Sequence, residues 1–189
     1  MLNSQLGAYI HEQLSNFTHR QLATLSFFDY VTDRTSSDVD RWRVLRAKGW
    51  QRMTEAERQE WLGEIKTTPS ASKGMYTHRD LNRVECAVET LKIRFEEYGY
   101  DMSNIVVKTN WTYRDAFTKE DMVRYLGNIS ILRNILPIYP DTPDVPKIDE
   151  EFNFKSANDI EKILMDVDML FTDVRDSRYH LGDLFAGEV

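Results

Sequence analysis

The chain has 189 residues, 41% of them hydrophobic, with 31 acidic and 24 basic side chains and a net charge of -7. That is enough apolar material for one ordinary domain or two small ones, and the acidic balance argues against a general nucleic-acid binder, which needs a cationic face. A single cysteine, Cys86, excludes an internal disulfide and a multi-cysteine zinc site.

Residues 3–19 place Leu6, Ile10, Leu14 and Phe17 on one helical stripe. The same end lacks the basic start, apolar core and cleavage site of a secretion signal, so export by that route is not expected. LSFFDYV, residues 25–31, is aromatic and β-branched, and reads as a strand or an anchoring segment. A second helix is expected from Thr35 to Lys48, with Val39, Trp42, Val44 and Leu45 apolar and Gly49 as its left-handed stop. A third begins at Thr54. There Thr54 and Glu57 can each satisfy a backbone donor of the other, and Met53 can pack over the entry. KTTPSASKG, residues 66–74, is small, polar and interrupted by Pro69, which predicts a flexible loop.

The tetrapeptide His-Arg-Asp-Leu, residues 78–81, matches the opening of a protein-kinase catalytic loop. The Asn that must follow five residues after the Asp is Glu85, and the Gly-rich phosphate cover, strand lysine and Asp-Phe-Gly site are missing from the sequence. The words instead describe a helix start, with Thr77 as cap and Asp80 in the first turn. From there Leu81, Val84, Val88, Leu91, Phe95 and Tyr98 recur at spacings of three and four up to Gly99. This stripe belongs to a helix packed in its own core or to an intermolecular seam. Cys86 falls between Val84 and Val88, where an inert buried thiol is expected, since no His partner is placed for a nucleophile.

Residues 104–109 read as a short strand or extended connection, and Thr118 with Asp121 starts a helix through Met122, Leu126, Ile129 and Arg133. Residues 137–146 hold four of the five prolines and must run extended, joining two parts. A last helix is expected from Ser156, with Asp159 in its first turn and Ile160, Ile163, Leu164, Val167, Leu170 and Phe171 buried. RYHLGDLFAGEV, residues 178–189, reads as a short β-arm. Residues 137–189 carry 13 acidic and 5 basic side chains, leaving 18 and 19 for the rest, so the negative charge is concentrated in the last quarter.

Sites of chemistry are sparse. His11-Glu12 lacks the second His of a zinc protease, because position 15 is Ser15. Asp38 with Asp40, and Asp166 with Asp168, are i, i+2 pairs on helices and read as solvated faces. No catalytic residue, metal site or cofactor is expected. Trp111, Tyr113 and Phe117 lie in a loop-like region and are the candidate binding residues, able to form a stacking surface for a sugar or a partner side chain, with packing between helices as the alternative. Trp50 and Trp61 form a similar pair.

The order and spacing of several short words resemble a module of structural, tail-associated proteins of phages and prophages of Gram-positive bacteria. The words are TDRTSSDVDR (residues 32–41), KGWQRMTEAERQEWL (48–62), KGMY (73–76) followed by DLNRVE (80–85), EDMVRYLGNISILR (120–133) and ANDIEKIL (157–164). This chain departs from the pattern by inserting TTPSAS before Lys73, and by Leu-Gly-Asp where Ser-Gly-Glu is the familiar C-terminal turn. The resemblance implies a virion component assembled in the bacterial cytoplasm and brings no catalytic residue with it. The sequence reading is therefore a mainly α protein of helical bundle units with short extended or β segments at its ends. Its expected parts are an anchoring or oligomerisation segment (1–31), a central helical unit (32–100) and an acidic helical unit (101–189). Its expected partners are copies of itself and other virion subunits, with no nucleic acid and no membrane insertion. A module contacting a carbohydrate or protein of the host surface is the alternative.

Overall fold

The computed structural model describes the backbone of residues 29–185 and the side chains of residues 29–176. The helix expected over residues 3–19, residues 25–28 of the LSFFDYV run and the last four residues lie outside the described residues. Within them the chain is mainly α-helical and contains no strand. The elements in order are α1 (Ser36–Lys48), a 3-10 turn (Trp50–Arg52), α2 (Glu55–Leu62), the single turn α3 (Ala71–Gly74), α4 (His78–Glu97), α5 (Lys119–Arg133) and α6 (Phe154–Phe185).

One local device starts four of the helices. Thr35, Thr54, Thr77 and Thr118 each accept a bond from an N–H of the first turn, and Asp38, Glu57, Asp80 and Asp121 return a carboxylate to the cap's own N–H at 2.8, 2.7, 2.9 and 3.1 Å. Two otherwise unpaired donors are satisfied at each start, and losing such a cap costs about 0.5–2 kcal/mol. The box expected at Thr54 is thus present, and it is repeated with Asp in place of Glu at the other three.

The main core joins α4, α5 and α6. Leu81, Val84, Val88, Leu91 and Phe95 of α4 meet Tyr125, Leu126, Ile129 and Leu132 of α5 and Ile160, Ile163, Leu164, Val167 and Phe171 of α6, with Met102, Ile105 and Trp111 from the α4–α5 connection. The apolar stripe read from α4 is therefore buried inside the chain's own core. This core draws side chains from both sides of residue 100. A second, small cluster of Leu45, Met53 and Ala71, with Trp42 and Trp61 packed on it, holds α1, α2 and α3 together.

Two expectations are corrected and a third is narrowed. Residues 66–74 are not simply a flexible loop: Asp38 accepts the Ser70 N–H at 2.6 Å, Glu60 accepts the Ala71 N–H at 3.1 Å, and Ala71 is fully buried at the start of α3. Carboxylates from two other helices supply the backbone partners that the small polar residues could not. Gly74 ends α3 so close to α1 that a Cβ there would lie 2.1 Å from the Asp38 carbonyl oxygen, which explains a glycine at this contact. The expected C-terminal β-arm is instead helix through Phe185: α6 starts at Phe154 and runs 32 residues, because no proline interrupts it and Gly182 inside it costs only about 1 kcal/mol. Of the two forms expected for residues 104–109, a short strand or an extended connection, the structure has the second: residues 105–109 run without strand pairing, and side chains take the place of a ladder, Val106 N–H donating to Asn128 and Lys108 N–H to Glu85. The proline-rich residues 137–146 carry no helix and are tied down by Thr142, whose hydroxyl donates to Asp166 at 2.7 Å.

Candidate functional site

The most unusual chemistry lies in the carboxylates buried along α4 and α6. Glu161 is fully buried on α6. Its Oε1 accepts from Arg34 Nη2 and Arg83 Nη2, both at 2.8 Å, while its Oε2 accepts from the Val31 N–H at 2.6 Å and from Arg83 Nη1. Asp80, the Asp of the His-Arg-Asp-Leu word, completes the cluster: one oxygen caps α4 and the other takes Arg34 Nη2 at 3.2 Å and Arg83 Nη2 at 3.0 Å. The kinase-like word thus encodes a helix start and an arginine clamp. Arg34 is almost wholly buried, with its guanidinium carbon 5.4 Å from the centroid of the Tyr76 ring, and its Nε has no acceptor.

Two more clusters repeat the pattern. Glu85, fully buried in α4, accepts from Arg124 Nη2 at 2.6 Å, Arg124 Nη1 at 2.7 Å, the Lys108 N–H at 2.8 Å and the Trp111 indole N–H at 3.2 Å. Asp168 pairs with Arg94 and receives the Tyr30 hydroxyl at 3.4 Å. Burial and the Asp168 charge push the Tyr30 phenol well above the usual tyrosine range. Tyr76 and Tyr125 share a 2.6 Å hydroxyl contact beside the first cluster, and burial pushes both up as well. Held by guanidinium groups and N–H donors, these carboxylates fix neighbouring segments to one another.

The candidate binding residues divide. Trp111 is 3% exposed, and its ring lies 5.3 Å from Phe117, which in turn meets Tyr125 edge-on at 5.9 Å. These two are brought together in the core. Tyr113 is 76% exposed, with only the Arg114 guanidinium over its ring. The three therefore form no common stacking surface; the backbone bonds of Trp111 to Asn82 turn its indole inward while Tyr113 points out. Trp50 is exposed beneath Arg58, and Trp61 is half-buried on the small cluster.

The paired aspartates are also corrected. Asp40 is exposed, but Asp38, Asp166 and Asp168 are buried, because each is consumed by a structural partner: Ser70 and Thr35 for Asp38, Thr142 and Lys162 for Asp166, Arg94 for Asp168. Cys86 is buried, and loss of solvent together with the Glu89 and Glu85 charges pushes its thiol up to about 12. It has no nucleophilic character in that state. The acidic residues Glu85 and Glu161 were not singled out from the sequence. The available signal was a carboxylate flanked by the apolar stripe of its own helix, Val84-Glu85-Cys86 and Ile160-Glu161.

Two clefts flank the first cluster. One, of about 640 Å³, opens between α1, residues 73–76 and the start of α6, with Tyr76 and Phe152 in its wall and Arg43 and Lys155 around it. The other, of about 450 Å³, lies between Trp61, Met75 and the first turn of α4. Among the described residues no group of three His, Cys, Asp or Glu side chains is arranged to hold a metal, and no helix is long and apolar enough to cross a membrane. No family model, curated protein or solved structure matches the chain.

Proposed function

We propose that this is a non-enzymatic structural subunit of a phage particle, associated with the tail, that works by self-association and by docking on neighbouring subunits. The observation that supports it is the use made of the ionisable groups. Glu161, Glu85, Asp168, Asp80, Asp38 and Glu60 are each held by arginines, backbone N–H groups or both, so that the polar interior stiffens the body. The words that resemble phage tail-associated proteins coincide with these contacts: DLNRVE contains Asp80, Arg83 and Glu85, and ANDIEKIL contains Asn158 and Glu161. A stiff subunit repeated by symmetry converts weak contacts into a stable particle. Mass spectrometry of purified particles from the source bacterium after prophage induction tests the reading. Recovery of this chain in stoichiometric amounts with capsid and tail subunits is expected, and particles free of it, with the chain left in the soluble lysate, would overturn it.

The second reading is a module that contacts a host-surface carbohydrate or protein, and the exposed Tyr113 with Arg114 on its ring favours it. Binding to a glycan array that is lost in Tyr113→Ala is the result expected of that reading.

A further inference from the structure

Among the described residues the two hydrophobic cores share no side chain: one joins α4, α5 and α6, the other joins α1, α2 and α3. No helix of residues 36–74 packs broadly on α4, α5 or α6. Two short crossings connect the small unit to the body. At the first, Arg34 belongs to the body, its backbone exchanging bonds with the Asn158 side chain at 3.1 and 2.9 Å, while Thr35 caps α1. At the second, Gly74 lies against the Asp38 carbonyl of α1, while Tyr76 is held in the body by its 2.6 Å hydroxyl contact with Tyr125 and by the Phe152 ring at 5.1 Å. Only the Arg34–Thr35 peptide and Met75 stand between what is fixed to one unit and what is fixed to the other, and Thr35 and Met75 are both extended.

The two crossings run side by side as a waist. The clefts of about 640 and 450 Å³ share Arg34, Lys73 and Met75 in their walls, so they lie on opposite sides of it. In the larger, Val39 and Arg43 of α1 face Phe152 and Lys155 at the start of α6; in the smaller, Trp61 and Leu62 of α2 face His78 and Arg79 of α4. Beyond the crossings, two polar contacts among the described residues bridge the units: the ion pair of Lys73 with Asp33, and the Arg79 guanidinium donating to the Leu62 carbonyl at 3.1 Å. Both are exposed, and contacts of that kind hold weakly in water.

We propose that the α1–α3 unit is hinged on the body and rocks about the line joining the Arg34–Thr35 peptide to Met75, so that the larger cleft closes as the smaller one opens. Two short connections side by side fix such an axis, and small dihedral changes at extended residues supply the rotation without repacking either core. The clefts provide the room. Closing one buries half-buried apolar side chains such as Val39 and Phe152 more fully, while opening the other uncovers Trp61, so the gain on one side offsets the loss on the other and the two positions lie close in energy. Inside the unit Asp38 and Glu60 hold the Ser70 and Ala71 N–H groups, which confines the motion to the waist. Arg79, bonded across the smaller cleft, is the latch. A partner docked on α1 or α2 can then change its angle to one docked on α5 or α6.

Double electron–electron resonance on the full chain tests the hinge whether or not the protein is a virion subunit. Spin labels go on exposed residues in three pairs: Ala47→Cys with Glu64→Cys within the small unit, Glu120→Cys with Met169→Cys within the body, and Ala47→Cys with Met169→Cys between them. Dilution with unlabelled chain keeps every measured distance within one molecule. The distribution between the units should be at least about twice as wide as either of the others, and Arg79→Ala should widen it further. Three equally narrow distributions would overturn the proposal. A broad distribution within the small unit would overturn it too, by showing that the unit is loose rather than hinged, and a width that Arg79→Ala leaves unchanged would overturn the latch.

Discussion

Glu161→Gln removes one negative charge from between two guanidinium groups and leaves the shape almost unchanged. The arginines differ in what they can do next: the Arg34 side chain is 2% exposed and keeps Asp80, at 3.2 Å, as its one carboxylate beside the Val31 carbonyl at 2.6 Å, whereas Arg83 is 24% exposed and can turn toward water. The amide also has one acceptor oxygen in place of two, so the Val31 N–H and a guanidinium compete for it. Breaking a buried pair by removing one partner costs about 3–5 kcal/mol, and the exposure of Arg83 places this case toward the lower end. For a chain of this length each kcal/mol lowers the Tm by about 2–4 °C, so a fall of roughly 6–12 °C is expected. Urea unfolding followed by circular dichroism should show the same loss as a lower midpoint with an unchanged slope. A loss under about 1 kcal/mol would refute the view that this cluster fixes residues 31–34 to α6.

The small α1–α3 unit should be acid-labile. Hydrogen bonds from Arg41 hold Glu60 below the usual carboxylate range; for Asp38, burial acts upward, but the Ser70 and Thr35 N–H groups and the Thr35 hydroxyl outweigh it. Both folded values lie below the unfolded ones, so their stabilisation is complete above about pH 5 and drains away as pH falls through the folded values. The urea midpoint should drop between pH 5 and 3, less steeply in Glu60→Gln; equal slopes would contradict the assignment. Gly74→Ala should destabilise by about 1–3 kcal/mol or more through its clash with the Asp38 carbonyl, while Gly127→Ala, in open space within α5, should stabilise by up to ~1 kcal/mol. Thermal melts showing the same sign for both would refute the packing argument. Trp111→Ala should cost about 3–5 kcal/mol and Tyr113→Ala less than about 0.5, in the same urea assay. Comparable losses would mean that Tyr113 is not the exposed residue described.

What was legible in the sequence was what local chemistry dictates. Thr-x-x-Glu and Thr-x-x-Asp words announce their helix starts because the bonds they make span three residues, and the α4 stripe could be read because burial on one face imposes its own spacing. Most of the errors came from distant partners. Residues 66–74 are small and polar, yet carboxylates from α1 and α2 satisfy their backbone, and nothing near them in sequence says so. The aromatic end of α6 resembled a strand because short apolar runs do not separate the two periods. Trp111 and Tyr113 are two residues apart and went opposite ways, since the Asn82 side chain, far off in sequence, decides how Trp111 faces. Glu85 and Glu161 were hidden for the same reason: a buried carboxylate is recognisable only once its arginines are in place.

The central claim, that this body is an assembly subunit, is tested most directly by the solution mass of the full chain, measured by light scattering behind a sizing column over a wide dilution series. The account predicts a discrete oligomer whose mass holds as the protein is diluted. A monomer at every concentration would contradict self-association as its mode of action.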